Sequence, residues 1–580
     1  MRIVIKNRYD VYIMISIVIF LFFTFFKLYN ALTAGLMYDE PETLYNAKQL
    51  YQGKLPFVDY FEHHPIVSYI LLAPFSDISV WEYQRVLMVI LSIISTIVLY
   101  IFLSNTFGKK IAILCSITFL VSPLLNRMSI MAIPDSFMIF FFIIGLYFYG
   151  RILKSSSLDN YIDFFLLGLF WSLSILSKIG SIIPITIFTL FMVYRFKSLK
   201  NIFYLLIGYI VPIGIIFIIY RFNFGYIYLM IDGILSNIYV RQYISQSLSD
   251  RMNILINQII YMYIYLWIVA IIGSVYVFKI FLSDKSKILK DKLKDEKFII
   301  MLSSPISFFF LIYYNLRVTV DSWPQYYMIE EVLLVIMSIG FYKLIQNYWH
   351  IIQKCWYGMS RYKISLMMIS IILVFFSFIQ PLMMSTYPYQ PNNHREEQSL
   401  VKWLSDGNNI NKNKYVFENW IYFNYLANLK SDYKVPIFSD VTLNYLTSVD
   451  NRFSDHIPLR KNVYENPSYD TVIFHGPLFD NLFMWIDMQF DKQGWYLTKR
   501  YNMSMIDYNN QTLFWYPGFK PETYDFQVDI WKRDPSSSIL MENARMKENL
   551  SDENVQILPR DDPSSLISFG DAERNASGFI

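Results

Sequence analysis

Cysteine is nearly absent. Cys115 and Cys355 are the only two in 580 residues, and both fall in or beside apolar stretches, so no disulfide framework is indicated. Histidine is scarce, with six residues, and a net charge of +4 is too small to suggest a nucleic-acid partner. No small-residue cleavage site follows the first apolar run, which therefore reads as a retained anchor rather than a signal peptide. What the chain has instead is apolar residue: 55% is hydrophobic and 19% aromatic, with a mean hydropathy of +0.33. These residues are gathered into long runs over roughly the first two thirds of the chain, and a bilayer core takes about 20 such residues per helix. The expected class is an α-helical polytopic membrane protein.

Eleven spans are predicted, over 11–28, 83–105, 111–125, 136–153, 161–176, 179–195, 201–220, 255–282, 298–315, 326–347 and 364–386. With Arg2, Lys6 and Arg8 on the cytoplasmic side, the basic clusters Lys109-Lys110, Arg151/Lys154, Arg195/Lys197/Lys200, Lys285 to Lys297 and Lys354/Arg361/Lys363 fall on that side too, in line with the positive-inside rule. The external face then receives the 31–82 loop, Asn126 to Asp135, the 221–253 loop, Asn315 to Gln325 and everything after about 387. A membrane domain is thus expected over 1–386, an external α/β domain over 387–520, and a loosely ordered tail over 521–580. In the α/β domain a short amphipathic helix is predicted over 395–404 and strands at 414–418, 434–438 and 469–475. A helical stretch is predicted over 480–490, and a closing hairpin over 496–504 and 512–516. Four acceptor sequons, at Asn502, Asn510, Asn549 and Asn575, suit an external location.

The polar residues of interest lie in the first external loop. Asp39-Glu40-Pro41-Glu42 reads as a capping box, with Asp39 at the N-cap, Pro41 in the first turn and Glu42 reaching back. Leu44, Ala47 and Leu50 then line one face and Gly53 ends the helix, which describes a short amphipathic helix on the membrane surface. One carboxylate suffices for a cap, yet three stand here, and a further acid, Asp135, appears on the same side where a helix re-enters the membrane. A second N-cap explains Asp135 equally well. At the far end of the loop, Glu62-His63-His64 groups a carboxylate with two imidazoles. Glu62 with His64 offers part of a divalent-metal site, although the ligand count is short. A cluster of donors and cations for an anionic group is the more general reading, joined by Arg85, Lys178, Arg221, Arg241 and Arg317. Each of these is also compatible with a snorkelling side chain.

The order of these features resembles the glycosyltransferase C superfamily, and in particular its protein O-mannosyltransferase and aminoarabinose-transferase branches. The acidic Asp39-Glu40 pair, the helix ending at Gly53, Gly53-Lys-Leu-Pro-Phe-Val-Asp59, Arg85 opening a span and Asp135 in the next external loop carry the resemblance. It covers about 10–386 and is densest in the first 140 residues. His63-His64-Pro65 stands where the family pattern has a Lys-Pro-Pro-like element, and no Trp-Trp-Asp signature of oligosaccharyltransferases is visible, which argues against en bloc transfer to asparagine. The resemblance implies transfer of a hexosyl or pentosyl unit from a polyprenyl- or dolichyl-phosphate donor to a hydroxyl of a protein, lipid or glycan, with no cofactor required. It implies Asp39 as base, assisted by Glu40 and Asp135. Arg85, His63, His64, Glu62, Asp59 and Lys178 would then contact substrate. Two rivals are a transporter or flippase of lipid-linked substrates and a non-catalytic membrane scaffold with an external binding domain. Against the first stands the expectation that no charged residue is centred within a span.

Overall fold

A computed structural model describes residues 8–33, 39–59, 64–76, 82–122, 124–125, 129–155, 160–231, 234, 252, 255–256, 264–283, 295–317, 327–357, 399–406, 415–418, 469–477, 495–506 and 523–533. Two compact units emerge. The first comprises Met1–Thr33, Asn46–Val58 and Glu62–Pro388, the second Ala34–Tyr45, Asp59–Phe61 and Tyr389–Ile580.

The first unit is helical. Its helices are α1 (Arg8–Thr33), α2 (Asp39–Tyr51, divided between the units), α3 (Val67–Leu72), α4 (Glu82–Phe107), α5 (Lys109–Val121) and α6 (Pro134–Lys154). There follow α7 (Tyr161–Ser177), α8 (Ile182–Phe196), α9 (Leu199–Ile219), α10 (Ile264–Ser283), α11 (Glu296–Arg317) and α12 (Met328–Tyr357). Each segment expected to cross the membrane from 11–28 to 326–347 contains a described helix; the last, 364–386, lies outside the described residues. Five described helices are long and apolar enough to cross by length and composition: Tyr83–Phe107, Pro134–Lys154, Ile179–Phe196, Leu199–Ile219 and Glu296–Leu316. Shorter apolar stretches are Ser16–Tyr29, Tyr161–Ser177 and Leu266–Lys279.

The sequence dictates which face each helix buries. In α4, Arg85, Met88, Val89, Ser92, Thr96, Leu99 and Leu103 recur at three- and four-residue intervals and are buried, while Ile90, Ile94, Ile97 and Ile101 form the exposed apolar face a lipid would cover. Helix α4 packs on α1, α5 and α6, and α7 on α6 and α9; α12 packs on α10, α11 and α5 and touches α6. Two glycines let α7 and α9 close: a methyl group at Gly168 would overlap the Leu205 carbonyl oxygen, and one at Gly208 the Phe165 oxygen. Gly208→Ala is therefore expected to force α7 from α9 and lower stability by about 1–3 kcal/mol, read as a fall in the midpoint of thermal unfolding in detergent.

The loop that follows α1 is also shaped by local chemistry. Gly53 takes a left-handed φ of +86° that ends α2, with Gly53 N–H donating to the Leu50 carbonyl and Lys54 N–H to that of Gln49, both at 3.0 Å. Phe57 is left-handed too, at φ +63°, a conformation unfavourable for a bulky side chain. Its burial against Ile66, Tyr69, Ile216 and Tyr220 holds it there, and Tyr220 Oη donates to the Pro56 carbonyl at 3.0 Å.

In the second unit the described residues form a four-stranded sheet of order β1-β2-β4-β3, with β1 Tyr415–Glu418, β2 Tyr469–Pro477, β3 Trp495–Ile506 and β4 Thr523–Arg533. The β1–β2 pair is parallel, and β2–β4 and β3–β4 are antiparallel. A helix over 399–405 covers it: Leu400 and Leu404 are buried, and Lys499 and Lys532 from neighbouring strands sit over the Trp403 ring at 5.3 and 5.7 Å. Among the described residues the partner of β3 is 523–533, which lies beyond Pro521 in the stretch expected to be loosely ordered. The expected strand at 434–438, the helical stretch 480–490 and residues 512–516 lie outside the described residues.

Candidate functional site

Helix ends assemble a polar layer within the first unit. Pro134 occupies the first position of α6, where its missing N–H is no loss, so Ile133 is the N-cap and Asp135 stands inside the first turn without making a cap bond. That corrects the N-cap reading of Asp135. The carboxylate is favourably placed in the positive field of the helix start, and Asp135 Oδ2 is paired with Lys178 Nζ at 2.6 Å. Lys178 caps the carboxyl end of α7 in an extended conformation, which turns the chain into α8. The other ends of α6 and α7 meet through Arg151 and the buried Asp163, 3.2 Å apart. The pair of helices is thus pinned at both ends, with the more deeply buried pin at Asp135.

Two further acids join this layer. Glu330 and Glu331 open α12 and are both about 98% buried. Asn315, near the end of α11, donates its amide to Glu330, and Ser122, just past α5, donates its hydroxyl to Glu331. The Asp135 carboxylate lies close enough to Glu330 to repel its charge. One oxygen of each acid, Asp135 Oδ1, Glu330 Oε2 and Glu331 Oε2, is buried and accepts no hydrogen bond from the described residues. Asp135, paired with Lys178, and Glu330 are thus within electrostatic reach of one another, and Glu331 is the next residue along α12. Such an excess of acceptors in a dry setting is stable when protons or donor groups offset it, and it is suited to holding hydroxyl groups or accepting a proton. Glu330 and Glu331 fall within the span expected over 326–347 and are not among the expected site residues. Two adjacent acids opening an apolar segment were the available signal.

The other expected residues distribute as follows. Asp39 opens α2, and Glu40 and Glu42 behind it are buried. So are Thr43, Asn46 and Gln49 alongside Leu44 and Ala47, so α2 is buried on its polar side as well and is not an amphipathic helix lying on a surface. Asp39 and Glu40 belong to the second unit, as does Asp59, which is exposed. Arg85, His64, Asp135 and Lys178 belong to the first. Arg85 is only 1% exposed, which rules out the snorkelling reading for it, whereas Arg221 is exposed. His64 is half-buried, and Glu62, His63 and Arg241 lie outside the described residues. Among the described residues no group of three or more metal-ligating side chains converges.

Residues 63–220 match the protein family described as dolichyl-phosphate-mannose-protein mannosyltransferase. No curated relative matches the sequence. Among solved structures, ArnT of Cupriavidus metallidurans bound to undecaprenyl phosphate is similar with a TM-score of 0.51 at 8% identity, over 90% of this chain and 97% of that one. The archaeal oligosaccharyltransferase AglB of Archaeoglobus fulgidus, in complex with an inhibitory peptide and a dolichol-phosphate, aligns at 0.46 and 12% identity, over 79% of this chain and 69% of that one. The protein O-mannosyltransferase Pmt1–Pmt2 complex of S. cerevisiae, bound to the sugar donor, aligns at 0.30 and 14% identity, over 40% and 35%. The matched family and these structures all fall in the glycosyltransferase C superfamily.

Proposed function

We propose that this chain, a membrane protein of the glycosyltransferase C superfamily, transfers a sugar from a polyprenyl- or dolichyl-phosphate donor to an acceptor hydroxyl. One observation carries the reading: the segment matching a dolichyl-phosphate-mannose-dependent family contains Asp135 and Lys178, which form a buried ion pair with Glu330 within electrostatic reach of Asp135. A donor whose sugar is joined to a lipid phosphate is reached only at a bilayer face, and the charge asymmetry of the loops puts this face outside the cell, with the amino terminus cytoplasmic. The likeness of fold to a chain that binds undecaprenyl phosphate agrees with such a donor.

The reaction is a single displacement with inversion. The acceptor oxygen forms its bond to the anomeric carbon as the bond from that carbon to the phosphate oxygen breaks. The phosphate leaves with the bonding electrons, and the acceptor proton passes to a carboxylate. Asp39 is the base, at the start of a helix that holds it in place. Glu40 and Asp135 orient the acceptor or share the proton, and crowding among carboxylates favours one of them as a base. A well-placed base contributes about 10²–10⁴-fold. Arg85, His63 and His64 offset the charge that develops on the departing phosphate, and Glu62 and Asp59 line the donor side. Lys178 serves through Asp135, whose orientation its ammonium fixes. The acidic opening of α12 removes the objection to a transporter that rested on the lack of charge within a span. The acids nevertheless stand in the first turn of their helix, as Asp135 does in its own, and not at mid-helix.

Membranes containing the full chain, incubated with a radiolabelled polyprenyl-phosphate sugar, are expected to move label to protein, lipid or glycan. The three acceptor classes separate by protease digestion and solvent extraction. Absence of label in every fraction, with the donor intact, overturns the reading.

A further inference from the structure

A second buried polar group lies apart from the carboxylates and has no part in the mechanism above. Lys27, on α1, is 2% exposed and shares the buried stripe of that helix with Phe23 and Ala31, while Phe22, Phe25 and Tyr29 face outward. Its ammonium donates to Ser92 Oγ of α4 at 2.6 Å and to Ser129 Oγ, ahead of α6, at 3.0 Å, and the two hydroxyls are 3.1 Å apart. An ammonium brings three N–H donors and the hydroxyls one O–H each. Two of the ammonium hydrogens and one hydroxyl hydrogen are used inside the trio, so two donors remain with no acceptor among the described residues. No carboxylate among those residues lies within ion-pair distance of Lys27. A buried cation kept without a counter-ion is costly. Methionine would fill the same volume at no such cost.

Position adds direction. Ser92 follows Arg85 by seven residues on the same buried face of α4, which sets it about 10 Å deeper along the helix. Arg85, Ser92 and Lys27 therefore form a line of donors running inward from the mouth of α4, whereas Asp135, Glu330 and Glu331 supply the acceptors. A sugar joined to phosphate has the matching polarity, with an anion at one end and hydroxyls at the other.

We propose that Lys27, with Ser92 and Ser129, is a phosphate-receiving site for the polyprenyl-phosphate portion of the donor. The proposal rests on the transferase reading for the identity of the lipid but has its own readout. Lys27 is a binding residue, and its loss weakens hold on the phosphate while leaving the carboxylates in place.

The test measures binding of undecaprenyl phosphate to the purified full chain in nanodiscs of neutral lipid, for the wild type, Lys27→Met, Lys27→Arg and the Ser92→Ala/Ser129→Ala pair. Lys27→Met is expected to weaken binding roughly tenfold to a hundredfold, the value of one or two charge-assisted hydrogen bonds. Lys27→Arg keeps most of the affinity, and the double serine variant loses part of it. The unfolding midpoint of Lys27→Met is expected to equal or exceed that of the wild type. If that variant fails to fold, the serine pair carries the same comparison. Unchanged affinity in Lys27→Met or in the serine pair overturns the site and leaves Lys27 as a clamp between α1 and α4. Equal Lys27-dependent binding of phosphatidic acid, or of inorganic phosphate, overturns the assignment to the donor. Lys27-dependent binding of undecaprenyl phosphate without sugar transfer upholds the site while the transferase reading falls. Transfer with an unchanged donor KM in Lys27→Met upholds the transferase reading and sinks the site.

Discussion

Asp39→Asn is expected to reduce sugar transfer by about 10²–10⁴-fold while leaving the fold and donor binding intact. Asparagine is the informative replacement because it matches aspartate in size and is equally well suited to a helix start. The variant keeps a polar side chain at the residue that opens α2 and loses only the group that can take a proton. Asp39→Ala removes the polar side chain as well, so the difference between the two variants separates a structural role from a chemical one. Transfer rates from purified protein in nanodiscs, taken with unfolding midpoints, give both quantities. An Asp39→Asn enzyme that transfers at the wild-type rate removes Asp39 as the base and directs attention to Glu40, which is wholly buried one residue on. On either outcome a structural role and a chemical role stop being confounded, which spacing alone never achieves for an acid at a helix start.

Local chemistry made much of this molecule readable from its letters. Gly53 ends α2 because only a residue without a Cβ enters a left-handed turn freely, and the apolar runs announced the helices. What escaped was whatever depended on partners distant in the chain. Asp135 and Lys178 were both singled out, but nothing in their spacing says that 43 residues of α6 and α7 bring them to 2.6 Å. Glu330, Glu331 and Lys27 were hidden inside apolar segments whose average hydropathy masks single charges, although a charge there is the costly event that asks for an explanation. The burial of α2 was invisible for a different reason. Its Leu44-Ala47 stripe is the same whether the opposite face meets water or protein, and only the structure shows Glu42, Asn46 and Gln49 covered. Strand β4 was legible and was missed. Tyr524, Phe526, Val528 and Ile530 alternate strictly with Asp525, Gln527 and Asp529, the period of a strand. Ile530 and Trp531 are both buried because β4 is an inner strand, covered at that point on both faces.

The Asp135–Lys178 pair allows structural and functional demands to be separated in one set of variants. Lys178→Met strands a carboxylate that is 3% exposed beside Glu330, and is expected to cost about 3–5 kcal/mol of stability. Asp135→Leu removes the carboxylate beside the Lys178 ammonium, but that side chain is 13% exposed and reaches solvent more easily, so the loss is expected to be smaller. The double variant Asp135→Leu/Lys178→Met replaces the pair by apolar groups of similar size and is expected to recover most or all of the stability, since a buried ion pair is often no stronger than the packing that replaces it. Sugar transfer is expected to behave differently, staying low in the double variant because the acceptor loses the carboxylate that orients it. Unfolding midpoints and transfer rates for the four proteins form a double-mutant cycle. A large coupling in stability with no recovery of activity assigns the pair to the site. Recovery of both would make the pair a clasp between α6 and α7, and would leave Glu330 as the acid of that layer nearest to the chemistry.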